Sequence, residues 1–158
     1  MGFEMSVDKQ QLAKIKSNLA KTKTKVTSKR IMDTLLLQLK NDIFLRTNSG
    51  KDVNNVAFSA YNAFYAKSEG KTIVNLTKTG TMLNAMTQKV LSKTKGIIFF
   101  VNAGYAGSKE TARSVARKHM LGEGVPKREF FGVSNQDTAD AVKTYKKELD
   151  KVLNRVRI

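Results

Sequence analysis

Residues 85 to 103 read AMTQKVLSKTKGIIFFVNA, and this stretch decides the class of fold. The segments 85 to 93 and 97 to 103 flank Thr94-Lys95-Gly96, a short polar connection of the kind that joins two antiparallel strands. The run from Ile97 to Val101 is β-branched or aromatic throughout, which is typical of a buried strand. The stretch therefore predicts a β-hairpin whose second strand is buried.

A helical pattern precedes the hairpin. We predict a helix that begins near Thr27 and Ser28 and ends at Asn48-Ser49-Gly50, where turn-forming residues follow one another. Its wide apolar stripe consists of Met32, Leu35, Leu36, Leu39 and Ile43. The twenty residues that follow carry aromatic side chains among Gly, Asn and Ser, and we expect this loop to dock on another surface.

Two further helices are predicted after the hairpin. The first is capped by Ser108, runs to about Leu121 and ends before Gly122. Its predicted inner face consists of Ala112, Val115, Ala116 and Met120. Ser134 and Asp137 have the spacing of a capping box at the start of the last helix. The apolar residues of that helix alternate by three and four: Val142, Tyr145, Leu149, Val152 and Val156.

This order of elements predicts an α+β fold in which a small antiparallel sheet packs against helices and a long amphipathic helix ends the chain. We expect the stripe of that helix, with Leu149 in the core, to cover the sheet. A chain of 158 residues fits one domain, here 1–158, with a basic N-terminal helix over 1–27 and the core over 28–158. Two strands alone are marginal, so residues 72 to 76 or a neighbouring subunit should complete the sheet.

The net charge is the most informative bulk property. Lys and Arg number 29 against 13 Asp and Glu, which leaves a net charge of +16. Such an excess indicates a polyanionic or acidic partner, which nucleic acid, an anionic membrane or acidic subunits could each supply. Residues 9 to 30 hold basic side chains and no carboxylate. The predicted contacts to DNA or to an acidic partner are Lys14, Lys16, Lys21, Lys23, Lys25, Arg113, Arg117 and Lys118.

The sequence offers little for catalysis. Cysteine is absent, and the single histidine, His119, has no second ligand nearby, so we expect it on the surface and expect no metal site. The carboxylates are scattered without the spacing of an acid and base pair. No apolar run approaches the roughly 18 residues of a membrane span, and no signal peptide pattern opens the chain. We therefore expect a soluble protein made in the cytosol, with no enzymatic activity and no cofactor.

Three blocks of sequence resemble a known family. They are residues 52 to 66 (the aromatic block), residues 75 to 83, which read NLTKTGTML (the threonine-glycine block), and residues 124 to 132, which read GVPKREFFG (the proline block). Their order and spacing resemble the virion morphogenesis and tail-completion proteins of tailed, Mu-like bacteriophages over residues 28 to 156. The chain departs from the family pattern at Asn55, where a glycine is expected, and over residues 103 to 123.

The resemblance implies a structural protein of the phage neck that closes as a ring, a hexamer, at the head–tail junction. Its partners would then be copies of itself, the connector or adaptor, the tail terminator or tail-tube proteins, and packaged DNA, with no membrane. Such a protein is found in the virion, and in the host cytoplasm during assembly. The blocks supply anchors for a core or a subunit interface: Phe58, Tyr61, Tyr65, Pro126, Arg128, Phe130 and Phe131. Of the phenylalanine pair, Phe131 is predicted to be the more internal.

Two other functions fit the residues alone. The charge suits an independent nucleic-acid-binding protein. The first six residues, MGFEMS, match the pattern for N-terminal myristoylation and suit a membrane-associated matrix protein.

Overall fold

The computed structural model describes residues 29 to 70 and 73 to 155, together with Ser17. The predicted basic N-terminal helix, with Lys14, Lys16, Lys21, Lys23 and Lys25, lies outside the described residues, as does Val156. Among the described residues no helix is both long enough and apolar enough to cross a membrane.

The fold class is confirmed as α+β. In chain order the elements of the described residues are α1 (Lys29–Asn48), α2 (Ala63–Ser68), α3 (Thr81–Asn84), β1 (Met86–Val90), β2 (Gly96–Phe100), α4 (Ala112–Leu121) and α5 (Asn135–Arg155). The predicted helix that ends at Asn48 and the long C-terminal helix are both present. A short helix, α2, lies inside the aromatic loop.

The predicted hairpin is confirmed, with β1 and β2 antiparallel and Met86 opposite Phe100. The second strand is not buried as predicted, because among its residues only Phe100 is fully buried and Ile97 is 40% exposed. Helix α1 covers one face of the hairpin, and a side chain at Gly96 would collide with Leu36 of that helix. Ile97 and Phe99 alternate with the residues on that face, and neither of them is fully buried.

The expected third strand does not form where the sequence suggested it. Residues 73 to 76 have no strand conformation, and the sheet of the described residues has two strands. Val74 and Leu76 instead insert into the core as parts of an irregular segment. The hairpin gains its stability from α1 rather than from further strand pairing.

The core lies between the hairpin, α1, α4 and the loops around them. Phe130 is completely buried, and its ring packs edge-on to that of Phe100, with centroids 6.0 Å apart. Phe131 is partly buried at the edge of this cluster, so the prediction that it is the more internal of the two was wrong. Phe58 is also a core residue. The aromatic loop therefore folds back on its own domain at this position.

Helix α4 begins later than predicted. Thr111, not Ser108, is its N-cap, since the Thr111 hydroxyl accepts from the Ser114 N–H and the Ser114 hydroxyl accepts from the Thr111 N–H. Ser108 instead accepts from the N–H of Glu110 in the preceding loop. The end at Gly122 is confirmed, with the glycine in the left-handed conformation at φ 78°. The inner face is confirmed as well, since Ala112 and Ala116 are buried.

Helix α5 starts with the predicted capping box, in which the Ser134 N–H donates to Asp137 and the Asp137 N–H donates to the Ser134 hydroxyl. The helix packs mainly against α1 and not on the sheet, contrary to the prediction. Its stripe is only partly covered, with Val142 48% and Tyr145 36% exposed. Since α1 already lies on the hairpin, α5 is left to pack in a second layer.

The position of α5 gives a prediction for Leu149, which is half-buried. Replacing Leu149 with Ala is expected to lower the free energy of unfolding by less than about 2 kcal/mol, because a fully buried leucine would cost roughly 2 to 5 kcal/mol. Urea unfolding of the variant measures the change. Ile43→Ala, at a site 2% exposed, is the control and should fall in the larger range. Equal losses in both variants would show that Leu149 is a core residue.

Candidate functional site

The described residues form a cleft with a volume of about 730 Å³. It is lined by four segments: Tyr61 to Tyr65, Leu76 to Met82, Tyr105 to Glu110 with the adjacent face of α4, and Gly124 to Arg128. Its volume lies within the range of roughly 300 to 1,000 Å³ that ligand sites usually have.

The aromatic wall of the cleft is held in place by local bonds. Asn62 caps α2 by accepting from the Tyr65 N–H at 2.8 Å. This places the Tyr61 and Tyr65 rings 4.8 Å apart. Burial raises the pKa of Tyr61, against the opposing effect of a hydrogen bond with the backbone of Leu76. The two tyrosines thus form a fixed surface that joins the aromatic block to the threonine-glycine block.

The backbone beside this wall is strained. Leu76 has φ 55°, in the left-handed region that branched apolar residues rarely adopt, and its side chain is buried. Such a conformation costs on the order of 1 to 3 kcal/mol and persists only where the surroundings impose it. Asn55 is also left-handed, at φ 63°. Asparagine tolerates this conformation, so the loop can keep a glycine-like backbone without a glycine.

Arg128 and His119 form the polar part of the cleft. Arg128 is only 3% exposed, and its guanidinium lies 5.2 Å from the centre of the Tyr61 ring. Its Nη1 contacts His119 Nδ1 at 3.4 Å. Because arginine has donors only, Nδ1 accepts in this contact. The prediction that His119 is a surface residue was wrong: it is half-buried and lines the cleft.

Burial and charge together set the ionisation of this pair. Burial first, and then the charge of Arg128, lower the pKa of His119 to about 4. Burial also lowers the pKa of Arg128. His119 is therefore neutral at physiological pH, and the guanidinium carries the charge of the pair.

The other charged side chains of the cleft are paired. Lys78 Nζ lies 2.6 Å from Glu69, and Lys118 Nζ lies 2.5 Å from Glu110. Hydrogen bonds from Lys118 and Ser114 lower the pKa of Glu110, so it stays ionised. These two neutral pairs contribute little net charge to the lining.

The structure brings some of the predicted site residues together and separates others. Tyr61, Tyr65, Pro126 and Arg128 all line the cleft. Phe58, Phe130 and Phe131 serve the core instead. Sequence reasoning missed the cleft residues His119, Tyr105 and Leu76. For Leu76 and Tyr105 the only signal was their place directly after the turn-forming residues Asn75 and Gly104. For His119 the signal was its place next to Met120 on the inner side of α4.

The predicted cationic face of α4 is partly neutralised. Arg113 and Arg117 are exposed, but Arg117 lies 2.9 Å from Glu123. Lys118 is held by Glu110, as described above. Within the described part of the chain, Arg113 is the member of this group without an acidic partner.

Within the residues that the structure covers, no group of three or more His, Asp or Glu side chains is arranged to hold a metal ion. Comparison with protein-family models, with curated protein sequences and with solved structures gave no match.

Proposed function

We propose that this chain is an assembly subunit of the head–tail junction of a tailed bacteriophage, and that it acts by binding neighbouring subunits rather than by catalysis. One observation carries the proposal: the three blocks that resemble tail-completion proteins are separate segments of the sequence, yet each of them contributes to the lining of one cleft. Phe58, Phe130 and Phe131 of these blocks serve the core. The block residues that line the cleft instead offer a concave surface on which a neighbouring subunit could dock.

Exposed apolar side chains support the same proposal. Phe64, which precedes Tyr65 of the cleft in the sequence, is 85% exposed, and Leu45 and Val56 are 63% and 60% exposed. An exposed phenylalanine next to a cleft residue offers an apolar contact to a neighbouring subunit, whereas single exposed apolar residues are common on protein surfaces. The two-stranded sheet adds open strand edges, onto which a segment of a neighbour could add by main-chain hydrogen bonds.

The proposed assembly is a closed ring, six subunits by the resemblance, whose neighbours are connector or adaptor proteins on one side and tail terminator or tail-tube proteins on the other. A ring needs contacts between two different patches of each subunit. The cleft is proposed as one of these two patches. The positive charge then faces either the passage of the packaged DNA or acidic neighbouring subunits.

The net charge of +16 favours a second function, that of an independent nucleic-acid-binding protein. A titration with random duplex DNA at two salt concentrations distinguishes the two. A free-standing binder with 6 to 10 phosphate contacts loses roughly 10³ to 10⁵ in affinity between about 50 and 200 mM salt. The assembly subunit should bind DNA weakly at both concentrations when its neighbours are absent.

The basic N-terminal segment gives a direct test of the proposed function. We expect the isolated protein to be largely monomeric, because like charges on one annulus repel within roughly 8 Å at physiological salt unless a partner neutralises them. Light scattering should then report a mass near 17.6 kDa until neighbouring subunits or DNA are added. Reversing Lys14, Lys16, Lys21 and Lys23 to Glu should leave the fold intact and abolish incorporation into particles, measured by complementation of a deletion phage.

A matched control changes the net charge equally at other places. Lys93, Lys95, Lys146 and Lys147 are exposed and have no ion-pair partner among the described residues. Reversing these four to Glu should leave incorporation unchanged. If the N-terminal reversal complements as well as the parent protein, the charge only improves solubility and the assignment of this segment is wrong.

A further inference from the structure

Arg128 is a buried cation with no counter-ion among the described residues. Its Nη2 donates to the Ser59 carbonyl at 3.2 Å, and its Nη1 donates to the Pro126 carbonyl at 3.4 Å. Its Nε, like that of Arg46, is buried and has no hydrogen-bond partner in the described part of the chain. No carboxylate of the described residues lies within ion-pair distance of it. The guanidinium thus meets only neutral groups, through bonds longer than the usual 2.9 to 3.0 Å.

Arg46, the other arginine that is buried among the described residues, shows how this fold accommodates a guanidinium with a structural role. Arg46 is 7% exposed, and its Nη1 lies 2.5 Å from the carboxylate of Asp137. Its Nη2 donates to the Gly132 carbonyl at 2.9 Å. Buried charges in proteins are nearly always paired in this way, since an uncompensated one costs several kcal/mol. Arg128 departs from this rule, and it does so in the wall of the cleft.

The remainder of the cleft defines the kind of anion that would fit. His119 is neutral, and Lys78 and Glu110 are neutralised by their partners, so the lining carries close to one net positive charge. Around it lie the rings of Tyr61, Tyr65 and Tyr105 and the apolar side chains of Met82 and Val125. A ligand complementary to this surface carries one negative charge on an apolar or aromatic body. A planar carboxylate matches the fork of a guanidinium.

We propose that the cleft binds a carboxylate side chain, Asp or Glu, flanked by apolar or aromatic residues in an extended segment of a neighbouring subunit, with Arg128 as the residue that pairs with the carboxylate. This inference rests on the proposed function, and it names the chemistry of the ligand that the docking cleft binds. The phosphodiester groups of a nucleic-acid backbone, each with one negative charge, fit less well, because Glu110 lies in the same cleft and only one guanidinium of the described residues faces it.

The single histidine of the chain lies against Arg128 and provides a reporter for the test. The C2–H resonance of His119 is followed by NMR on the full chain while N-acetyl-Phe-Glu-amide, N-acetyl-Phe-Gln-amide or inorganic phosphate is added. We expect the Glu peptide to shift the resonance saturably and to bind at least about tenfold more tightly than the Gln peptide, because only the charged partner pairs with the guanidinium. Phosphate at equal concentration should have a smaller effect.

Two variants and one control complete the test. Arg128→Gln should weaken binding of the Glu peptide by about tenfold or more. Arg117→Gln, which removes an exposed arginine of α4, should leave binding unchanged. In case Arg128→Gln fails to fold, Val125→Glu places a carboxylate in the lining and should weaken the same binding in a folded protein.

The proposal is overturned if no peptide binds, if the Glu and Gln peptides bind equally, if Arg128→Gln or Val125→Glu binds the Glu peptide like the parent, or if phosphate competes as strongly as the Glu peptide. These readouts use the isolated chain and do not depend on ring formation. Peptide binding together with full complementation by the lysine-reversed protein would keep the carboxylate site and remove the assigned role of the basic segment. If no peptide binds and the lysine-reversed protein fails to complement, the carboxylate site is ruled out and the assigned role of the basic segment remains.

Discussion

Replacing Arg46 with methionine is expected to lower the free energy of unfolding by about 3 to 5 kcal/mol, because it leaves the buried carboxylate of Asp137 without its partner. Arg46 lies in α1 and pairs with Asp137 in the first turn of α5. It also donates to the carbonyls of Gly132 and Phe130 in the proline block. Methionine keeps most of the length of the side chain, so the lost volume is small. Urea unfolding with linear extrapolation measures the change.

The exposed pair of Arg117 and Glu123 supplies the control. Its side chains are 68% and 45% exposed, so Arg117→Met should cost at most about 1 kcal/mol. Losses of the same size at both arginines would contradict the structural role assigned to Arg46.

The same pair predicts a dependence on pH. Burial raises the pKa of Asp137, but hydrogen bonds from Ser134 and Arg46 outweigh this and hold the pKa below its usual value. A carboxyl group with a lowered pKa stabilises the fold above its unfolded pKa, near 3.9, and loses that contribution as the pH falls through its folded pKa. The difference in stability between the parent and Arg46→Met should therefore be constant near neutral pH and shrink below about pH 4.

The contribution of Asp42 to stability changes with pH in the opposite direction to that of Asp137. For this reason the prediction is stated as the difference in stability between the parent and Arg46→Met. Burial and the charge of Asp137 raise the pKa of Asp42, so its carboxylate destabilises the fold near neutral pH and its protonation relieves this. Asp42 is present in both proteins, and of the causes of its shifted pKa only the smallest, the charge of Arg46, is removed by the substitution, so most of its contribution cancels. A difference that grows as the pH falls would contradict the assignment of Asp137.

Replacing Phe130 with alanine is expected to cost about 3 to 5 kcal/mol. The ring is completely buried between the hairpin, α1 and α4, and it packs against both Phe100 and Phe131. Its removal leaves a cavity, and the cavity persists because the three elements around it cannot all move in to fill it. Urea unfolding measures the loss. A variant that is already unfolded at room temperature would agree with the prediction, since the free energy of unfolding of a native protein is only about 5 to 15 kcal/mol in total.

Two other phenylalanines provide a graded comparison for this substitution. Phe131→Ala, at the partly buried edge of the cluster, should cost less than Phe130→Ala. Phe64→Ala, at a site 85% exposed, should stay within about 0.5 kcal/mol of the parent. If Phe131→Ala proves the more damaging of the adjacent pair, the orientation of the proline block is wrong.

The helices and strands whose sequence signals are local could be predicted from the sequence. The alternation of apolar residues fixed α1 and α5, the Thr94-Lys95-Gly96 connection fixed the hairpin, and Ser134 with Asp137 fixed a helix start. Each of these depends on residues within a few positions of one another, so the pattern is visible without knowledge of the fold. The class α+β followed from their order.

The arrangement of these elements and the residues of the site could be seen only in the tertiary structure. The sequence could not show that α5 packs on α1, because an amphipathic stripe does not say which surface covers it. It gave no sign that Arg46 and Asp137 meet, since they lie 91 residues apart. It placed His119 on the surface, because the burial of one face of α4 depends on the loops from 76 to 82 and from 124 to 128. The resemblance marked Arg128 as an anchor of the core or of a subunit interface, but only the folded chain shows that its guanidinium is buried in the wall of the cleft, with no carboxylate of the described residues in ion-pair distance.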